Sequence, residues 1–412
     1  MLRASILSAT LATLAIAASP AMAAPEYVPG EVIVRYEDEP RSQAVSVAAG
    51  ETVHEAIDDL SDRPGVAYAV PNYIARASDY VPNDPAFPLQ WNLGGPVGIN
   101  MPEAWGLARR AGRPGGRGAV VAVLDTGVAY QRFGRFRRAP DLRRFVPGHD
   151  FVAGDRHPND QNGHGTHVAG TIAQSTGNRL GAAGIAYHAR IMPVRVLDAN
   201  GAGDTIAIAR GIRYAARHGA DVINLSLEFD AAVRSAQIPD IVSALRYARD
   251  RGVVVIAAAG NQGSPQVAYP ARARHVLAVA ATTASGCQAE YSNSGSHVDI
   301  AAPGGGADAA NTDTEYDVAT CHPDLRGEFI YQQTFRGSVS RFGLPPGFEG
   351  TSMAAPHVAG VAALVIGARR LGGDPSPADV ERHLESTARD LGLPGWDPRY
   401  GYGLLDAAAA LR

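Results

Sequence analysis

Three short segments of this chain carry an acid, a base and a hydroxyl in contexts where they can act on one another. Asp125 ends the apolar run VAVLDTG, His164 lies in NGHGTHVAG, and Ser352 lies in GTSMAAPHVAG. An aliphatic hydroxyl is a poor nucleophile at neutral pH. It becomes a good one when an imidazole takes its proton and a carboxylate holds the imidazole tautomer and stabilises the imidazolium. A fourth segment, AAAGNQG, sets Asn261 directly after an apolar run. A side-chain amide there can donate to an oxyanion, alongside the backbone N–H of a serine at a helix start. Taken singly, each residue has a plainer reading. Asp125 could belong to a turn, His164 to a structural loop, and Ser352 to a helix cap. His164 and His167 are only three apart, with no nearby Glu to complete a zinc pattern. All four residues, in this order and these contexts, point to acyl transfer through a serine nucleophile.

Such chemistry needs a rigid platform. Continuous apolar runs occur at 119–125, 190–197, 221–227, 252–261 and 275–281, with helical patterns at 204–218 and 237–251 between several of them. Short buried strands alternating with helices predict an α/β fold, a mainly parallel sheet flanked by helices on both faces. Ligands of such sheets bind beyond the carboxyl ends of the strands. Asp125 and Asn261 are both expected there.

The chain has 412 residues, 46% of them hydrophobic, enough for one large core and a small extra domain. Only 19% are charged and the formal net charge is -4, so no global field points to nucleic acid or an anionic membrane as partner. All 37 basic residues are Arg, densest at 131–145. That stretch reads either as a solvated loop or as a patch for an anionic partner.

At the N-terminus, Arg3, an apolar run and small residues at Ala21 and Ala23 have the layout of a secretory signal peptide, residues 1–24. The run is short for a membrane span, and no later segment is apolar enough to be one, so stable membrane insertion is not expected. The mature protein is expected to be exported, extracellular or periplasmic. The two cysteines, Cys287 and Cys321, are an even count in an exported chain, which favours a disulfide over a catalytic thiol. Residues 25–78 read as a small α+β unit, with strands at 31–36 and 63–70 around a helix at 51–60. The Pro- and Asp-rich segment 78–88 reads as a linker.

The motifs VAVLDTG, NGHGTHVAG, NLSL, AAAGNQG, EGTSMAAPHVAG and the C-terminal RYGYGLLDAAAAL resemble those of the subtilases, the subtilisin-like serine proteases, over about residues 84–412. The order Asp, His, Ser is the subtilisin order. The resemblance implies a serine endopeptidase with a catalytic domain at 79–412. In it Asp125 orients the base, His164 is general base and acid, Ser352 is the nucleophile and Asn261 supplies the oxyanion amide. It implies that protein or peptide substrates bind as an added strand between Leu225-Ser226-Leu227 and Gly201-Ala202-Gly203. Ala258, Ala259 and Gly260 are expected to line the primary specificity pocket. Glu228 stands where the family usually has Gly. It can narrow that pocket, favour a basic residue before the scissile bond, or point to solvent.

The resemblance also implies a structural Ca²⁺, with no cofactor for catalysis. Its ligands are expected to be the side chains of Gln90, Asp141 and Asn178 and the carbonyls of Thr176, Leu180 and Ala182; the alternative is an ordinary Gly turn. Residues 25–78 resemble the family's propeptide, a chaperone and inhibitor of its own enzyme, with autoprocessing near 74–80. The enzyme is expected to be a monomer. The long stretch 303–350 before Ser352 reads as a lid, a specificity loop or a surface excursion. Two other functions remain: a ligase or cyclase passing the acyl group to an amine, and an inactive protease scaffold serving as a binding module.

Overall fold

The structure is a computed structural model describing residues 27–48, 50–73, 79–309, 321 and 327–412. The signal-peptide reading of 1–24 and most of the expected processing segment 74–80 lie outside the described residues. The chain divides into two compact units, Met1–Ala77 and Ser78–Arg412.

In the first unit, strands β1 (Tyr27–Tyr36), β2 (Gln43–Ser46) and β3 (Val66–Tyr73) form an antiparallel sheet in the order β2-β1-β3. Helix α1 (Val53–Ser61) begins at a capping box: Glu55 N–H donates to the Thr52 hydroxyl, and Thr52 N–H donates to Glu55. Val32 and Val34 alternate inward and meet Val53, Ala56 and Leu60 in a small core of their own.

The second unit is built on seven strands. These are β4 (Val120–Asp125), β5 (His149–Asp150), β6 (Arg190–Arg195), β7 (Val222–Leu225), β8 (Val254–Ala258), β9 (Leu277–Thr282) and β10 (Ile300–Pro303). They lie in the order β10-β9-β8-β7-β4-β6-β5, and every pairing is parallel. The interior strands β4, β7, β8 and β9 are buried along their whole length. That is why they appear in the sequence as unbroken apolar runs rather than alternating ones.

The two faces of the sheet bury separate cores. One face packs α4 (Thr205–Arg217) and α5 (Pro239–Asp250) through Ile208, Ile212, Ile241 and Leu245. The other packs α2 (Met101–Arg110), α3 (His164–Ala173) and α6 (Thr351–Ala368). Helices α7 (Pro377–Ser386) and α8 (Ala407–Leu411) complete that face. Among the described residues α6 is the one helix long and apolar enough to cross a membrane, and it is almost wholly buried in this core.

Three features depart from or settle the sequence reading. Strands β5 and β10 appear in addition to the five expected. The arginine-rich segment 131–145 is a surface loop with Arg132, Arg135, Arg138, Arg143 and Arg144 exposed. Cys287 and Cys321 are joined in a disulfide.

Candidate active site

Asp125 is the last residue of β4, and Asn261 lies three residues beyond the end of β8. Both therefore sit at the carboxyl edge of the sheet. The Asp125 carboxylate is fully buried. Its Oδ1 accepts from Thr126 N–H at 2.7 Å and lies 2.8 Å from Nδ1 of His164, so the imidazole donates there and keeps Nε2 free. The imidazole side chain is 24% exposed, open to a reactant. Burial pulls the His164 pKa down, but the charge and hydrogen bond of Asp125, helped by Asp160, outweigh it and leave it raised.

His164 opens α3, whose first turn is organised by Asp160, a residue the sequence reading passed over. Asp160 is completely buried. Its Oδ1 accepts from the Thr126 hydroxyl and from the N–H groups of Asn162 and Gly163 at 2.8–2.9 Å. Its Oδ2 accepts from the N–H and hydroxyl of Thr166 at 3.0 and 2.6 Å. One carboxylate thus ties the end of β4 to the start of α3 and fixes the Asp125–His164 spacing. Negative charge at a helix N-terminus is also favoured by the free N–H groups there. His167, one turn along, is a core residue: Nε2 lies 2.9 Å from the Ile330 carbonyl, the ring stacks on Phe348, and burial pushes its pKa down to about 3.

Ser352 is the second residue of α6. Backbone N–H groups in that first turn lack intrahelical acceptors. Pro356 lies inside the same helix and has no N–H to offer the Ser352 carbonyl four residues back. The Ser226 hydroxyl takes that place, donating to Ser352 O at 2.8 Å. The Ser352 hydroxyl in turn donates to Ser226 O at 3.2 Å rather than to His164. Asn261 is held by Thr351, whose N–H and hydroxyl both donate to Oδ1 at 2.8 and 2.9 Å. A backbone N–H can only donate, so this fixes the amide and turns Nδ2 the other way.

These groups share one cleft of about 480 Å³, which includes Thr126, Asn162, His164, Ser226, Asn261 and Ser352. Gly201, Ala202, Gly203 and Leu227 also line it. A larger cavity of about 620 Å³, lined by Arg246, Arg249, Arg272 and Arg274, holds none of them. The arrangement can deprotonate a hydroxyl and stabilise a tetrahedral oxyanion.

Leu225 is fully buried in β7, and Ala258, Ala259 and Gly260 are buried at and just beyond the end of β8. Glu228 lies against the end of this stretch, on the cleft wall. Its side chain turns inward instead of to solvent, and Oε2 accepts from Asn261 N–H at 2.7 Å. A Cβ on Gly260, whose φ is +115°, would stand 2.5 Å from that oxygen.

One part of the stretch before Ser352 belongs to the core rather than to a cover over the cleft. Residues 329–333 are built into the core beside α3. The Trp91 indole donates to Phe329 O, and the Gln332 amide donates to Ala183 O.

The loop expected to hold calcium brings Asp141 and Asn178 together, with Asn178 Nδ2 donating to Asp141 Oδ1 at 2.6 Å. Gln174 donates to the other oxygen at 3.3 Å, while its own Oε1 is buried without a partner. Asp84 accepts from the N–H groups of Gly177 and Asn178 at 2.6 and 3.3 Å. Burial, and to a lesser degree the neighbouring Asp84, pushes the Asp141 pKa up to about 6, although the amide donors oppose it. A buried carboxylate beside a second one and an orphaned amide oxygen fit an oxygen-seeking cation. Two expected side-chain ligands are already engaged: the Gln90 oxygen accepts from Ala183 N–H at 2.7 Å and the Asn178 oxygen from Leu180 N–H at 2.9 Å, each keeping one lone pair.

Comparison with known proteins agrees with this geometry. The model of the subtilase family matches residues 116–403. The thermophilic serine proteinase of Bacillus sp. (strain AK1) is 35% identical over 398 residues, 91% of this chain and 86% of that one. Thermitase of Thermoactinomyces vulgaris is 38% identical over 317 residues, 77% and 94% of the two chains. A solved protease structure from Pseudoalteromonas arctica superposes with a TM-score of 0.65 at 34% identity, covering 80% of this chain and 98% of that one.

Proposed function

This chain belongs to the subtilase family of serine proteases, and on that premise we propose that it is an exported endopeptidase working through an acyl-enzyme on Ser352. The observation that carries this reading is the buried Asp125 carboxylate on Nδ1 of a partly exposed His164, in the cleft that holds Ser352 and Asn261. In the proposed reaction the Ser352 hydroxyl rotates from Ser226 O toward His164 Nε2. The serine oxygen attacks the scissile carbonyl as its proton passes to Nε2. Asn261 Nδ2 and Ser352 N–H donate to the carbonyl oxygen as it becomes an oxyanion. His164 then gives the proton to the leaving amine, and water repeats the sequence to release the acid. Asp125 keeps the tautomer and stabilises the imidazolium without taking the proton.

The exposure of His164 favours water as the acceptor over an amine, because a ligase must keep water from the acyl-enzyme. Retention of all four working groups speaks against a binding module. The test is product analysis of a peptide amide substrate with an added amine. Free acid as the main product supports hydrolysis; the amine adduct as the main product contradicts it.

Export rests on the Arg3 and apolar layout of residues 1–24, followed by residues 25–78 as a propeptide removed near 74–80. Calcium serves structure alone in this reading. Asp141, Asn178 and the carbonyls of Thr176, Leu180 and Ala182 would hold it, with Gln90 contributing its remaining lone pair. The ion would supply positive charge to a buried carboxylate and cross-link the loop to the core.

A further inference from the structure

From the placement of Glu228 we infer that it is a specificity determinant, selecting arginine or lysine as the residue immediately before the scissile bond. The inference rests on the protease reading and adds a substrate class to it.

Glu228 follows Ser226 and Leu227, the edge against which a substrate strand would pair, and it lines the same cleft as His164, Asn261 and Ser352. Its carboxylate is fixed by Asn261 N–H at 2.7 Å on Oε2. Oε1 has only a long 3.5 Å contact to Asn261 Nδ2, which leaves it acceptor capacity. Asn261 flanks the reacting carbonyl in the proposed mechanism. The substrate side chain next to that carbonyl is therefore the one within reach of Glu228.

The charge around Glu228 is uncompensated. The protein carries 37 arginines, yet among the described residues none forms an ion pair with it. Its charged neighbour is Asp230, another carboxylate, and it is half-buried. A partly desolvated carboxylate that lacks a cation is complementary to a substrate cation. Phe229, also on the cleft wall, offers an apolar face to the aliphatic stem and a π-face to the charged head. The location sharpens the selection. An ionised carboxylate beside the oxyanion donors opposes the developing negative charge. A substrate cation cancels that opposition, so the preference belongs in kcat as well as KM.

The test compares peptide amides that differ only at this position, carrying arginine, its neutral isostere citrulline, alanine or glutamate. Wild-type enzyme and Glu228→Gln are both assayed. Glutamine still offers an oxygen to Asn261 N–H but no charge. Wild type is expected to favour arginine over citrulline by about 10–100-fold in kcat/KM, the range of a charge-assisted contact, and to turn over glutamate worst. In Glu228→Gln the arginine-to-citrulline ratio is expected to fall to near one. Equal rates for arginine and citrulline in wild type overturn the inference, as does a preference that survives in the variant. A preference for alanine over all longer side chains shows a steric plug and also overturns it. Fluorophosphonate labelling of Ser352 in both proteins separates the two claims. Labelling without an arginine preference removes the specificity claim alone, whereas no labelling and no hydrolysis removes the protease reading with it.

Discussion

The hydroxyl of Ser226 donates to the carbonyl of Ser352 at 2.8 Å, at the acceptor that Pro356 leaves without a helical donor. The end of β7 and the start of α6 are thereby locked together where the proposed substrate edge meets the proposed nucleophile. Ser226→Ala leaves that carbonyl unpaired. Thermal unfolding should show a loss of about 1–2 kcal/mol, and kcat should fall about tenfold as Ser352 loses its fixed position. An unchanged kcat would show that the bond supports the fold but not the chemistry.

In the proposed mechanism Asn261 acts through Nδ2 while Thr351 holds its Oδ1. Asn261→Ala should lower kcat by about 10²–10³ with little change in KM. Thr351→Val keeps the backbone donor and removes the hydroxyl one, so it should cost less, about tenfold. Steady-state kinetics on one peptide amide gives both values. A KM effect without a kcat effect would place Asn261 in ground-state binding instead.

In the proposed mechanism the raised pKa of His164 sets the acid limb of the pH profile. The base must be neutral to accept a proton, so kcat/KM should rise with pH through a value above the ordinary imidazole figure of about 6.5. The sign for stability is opposite. A group whose pKa is raised by folding stabilises the fold most below its unfolded value, and that contribution disappears as pH rises through the folded value. Asp125→Asn should abolish the upward shift and reduce kcat by about 10⁴. A wild-type limb below 6.5 contradicts the ion pair.

Calcium should stabilise the fold without entering the chemistry. Saturating Ca²⁺ at about 100 times its Kd adds about 2.7 kcal/mol to unfolding, read as a rise in Tm. Asp141→Asn should remove most of that rise. A Tm indifferent to both Ca²⁺ and a chelator would show that the Asn178 and Gln174 amides satisfy Asp141 by themselves.

The sheet was legible because its interior strands are buried on both faces, so β4, β6, β7, β8 and β9 stand out as apolar runs. β5 has only two residues, His149 and Asp150, and no hydrophobic pattern can announce it. β10 has four residues, as β7 has, but it is an edge strand set between Asp299 and the glycines after Pro303, which cut its apolar run short. The residues of the proposed site were legible because such chemistry restricts residue type. Asp160 was not, since a polar residue in a loop looks the same whether it faces water or accepts five hydrogen bonds in the interior. Glu228 was legible as a departure but not in its direction. A side chain just past a strand end can turn either way, and the contact with Asn261 N–H exists only once β7 and β8 are paired.

The central claim is that Ser352 is a nucleophile activated by His164, and covalent labelling tests it most directly. Mature protein treated with a fluorophosphonate should carry one adduct, mapped by peptide mass to Ser352. The adduct should be absent from Ser352→Ala and form far more slowly in His164→Ala. An unlabelled folded protein, or an adduct on any other residue, would contradict the account.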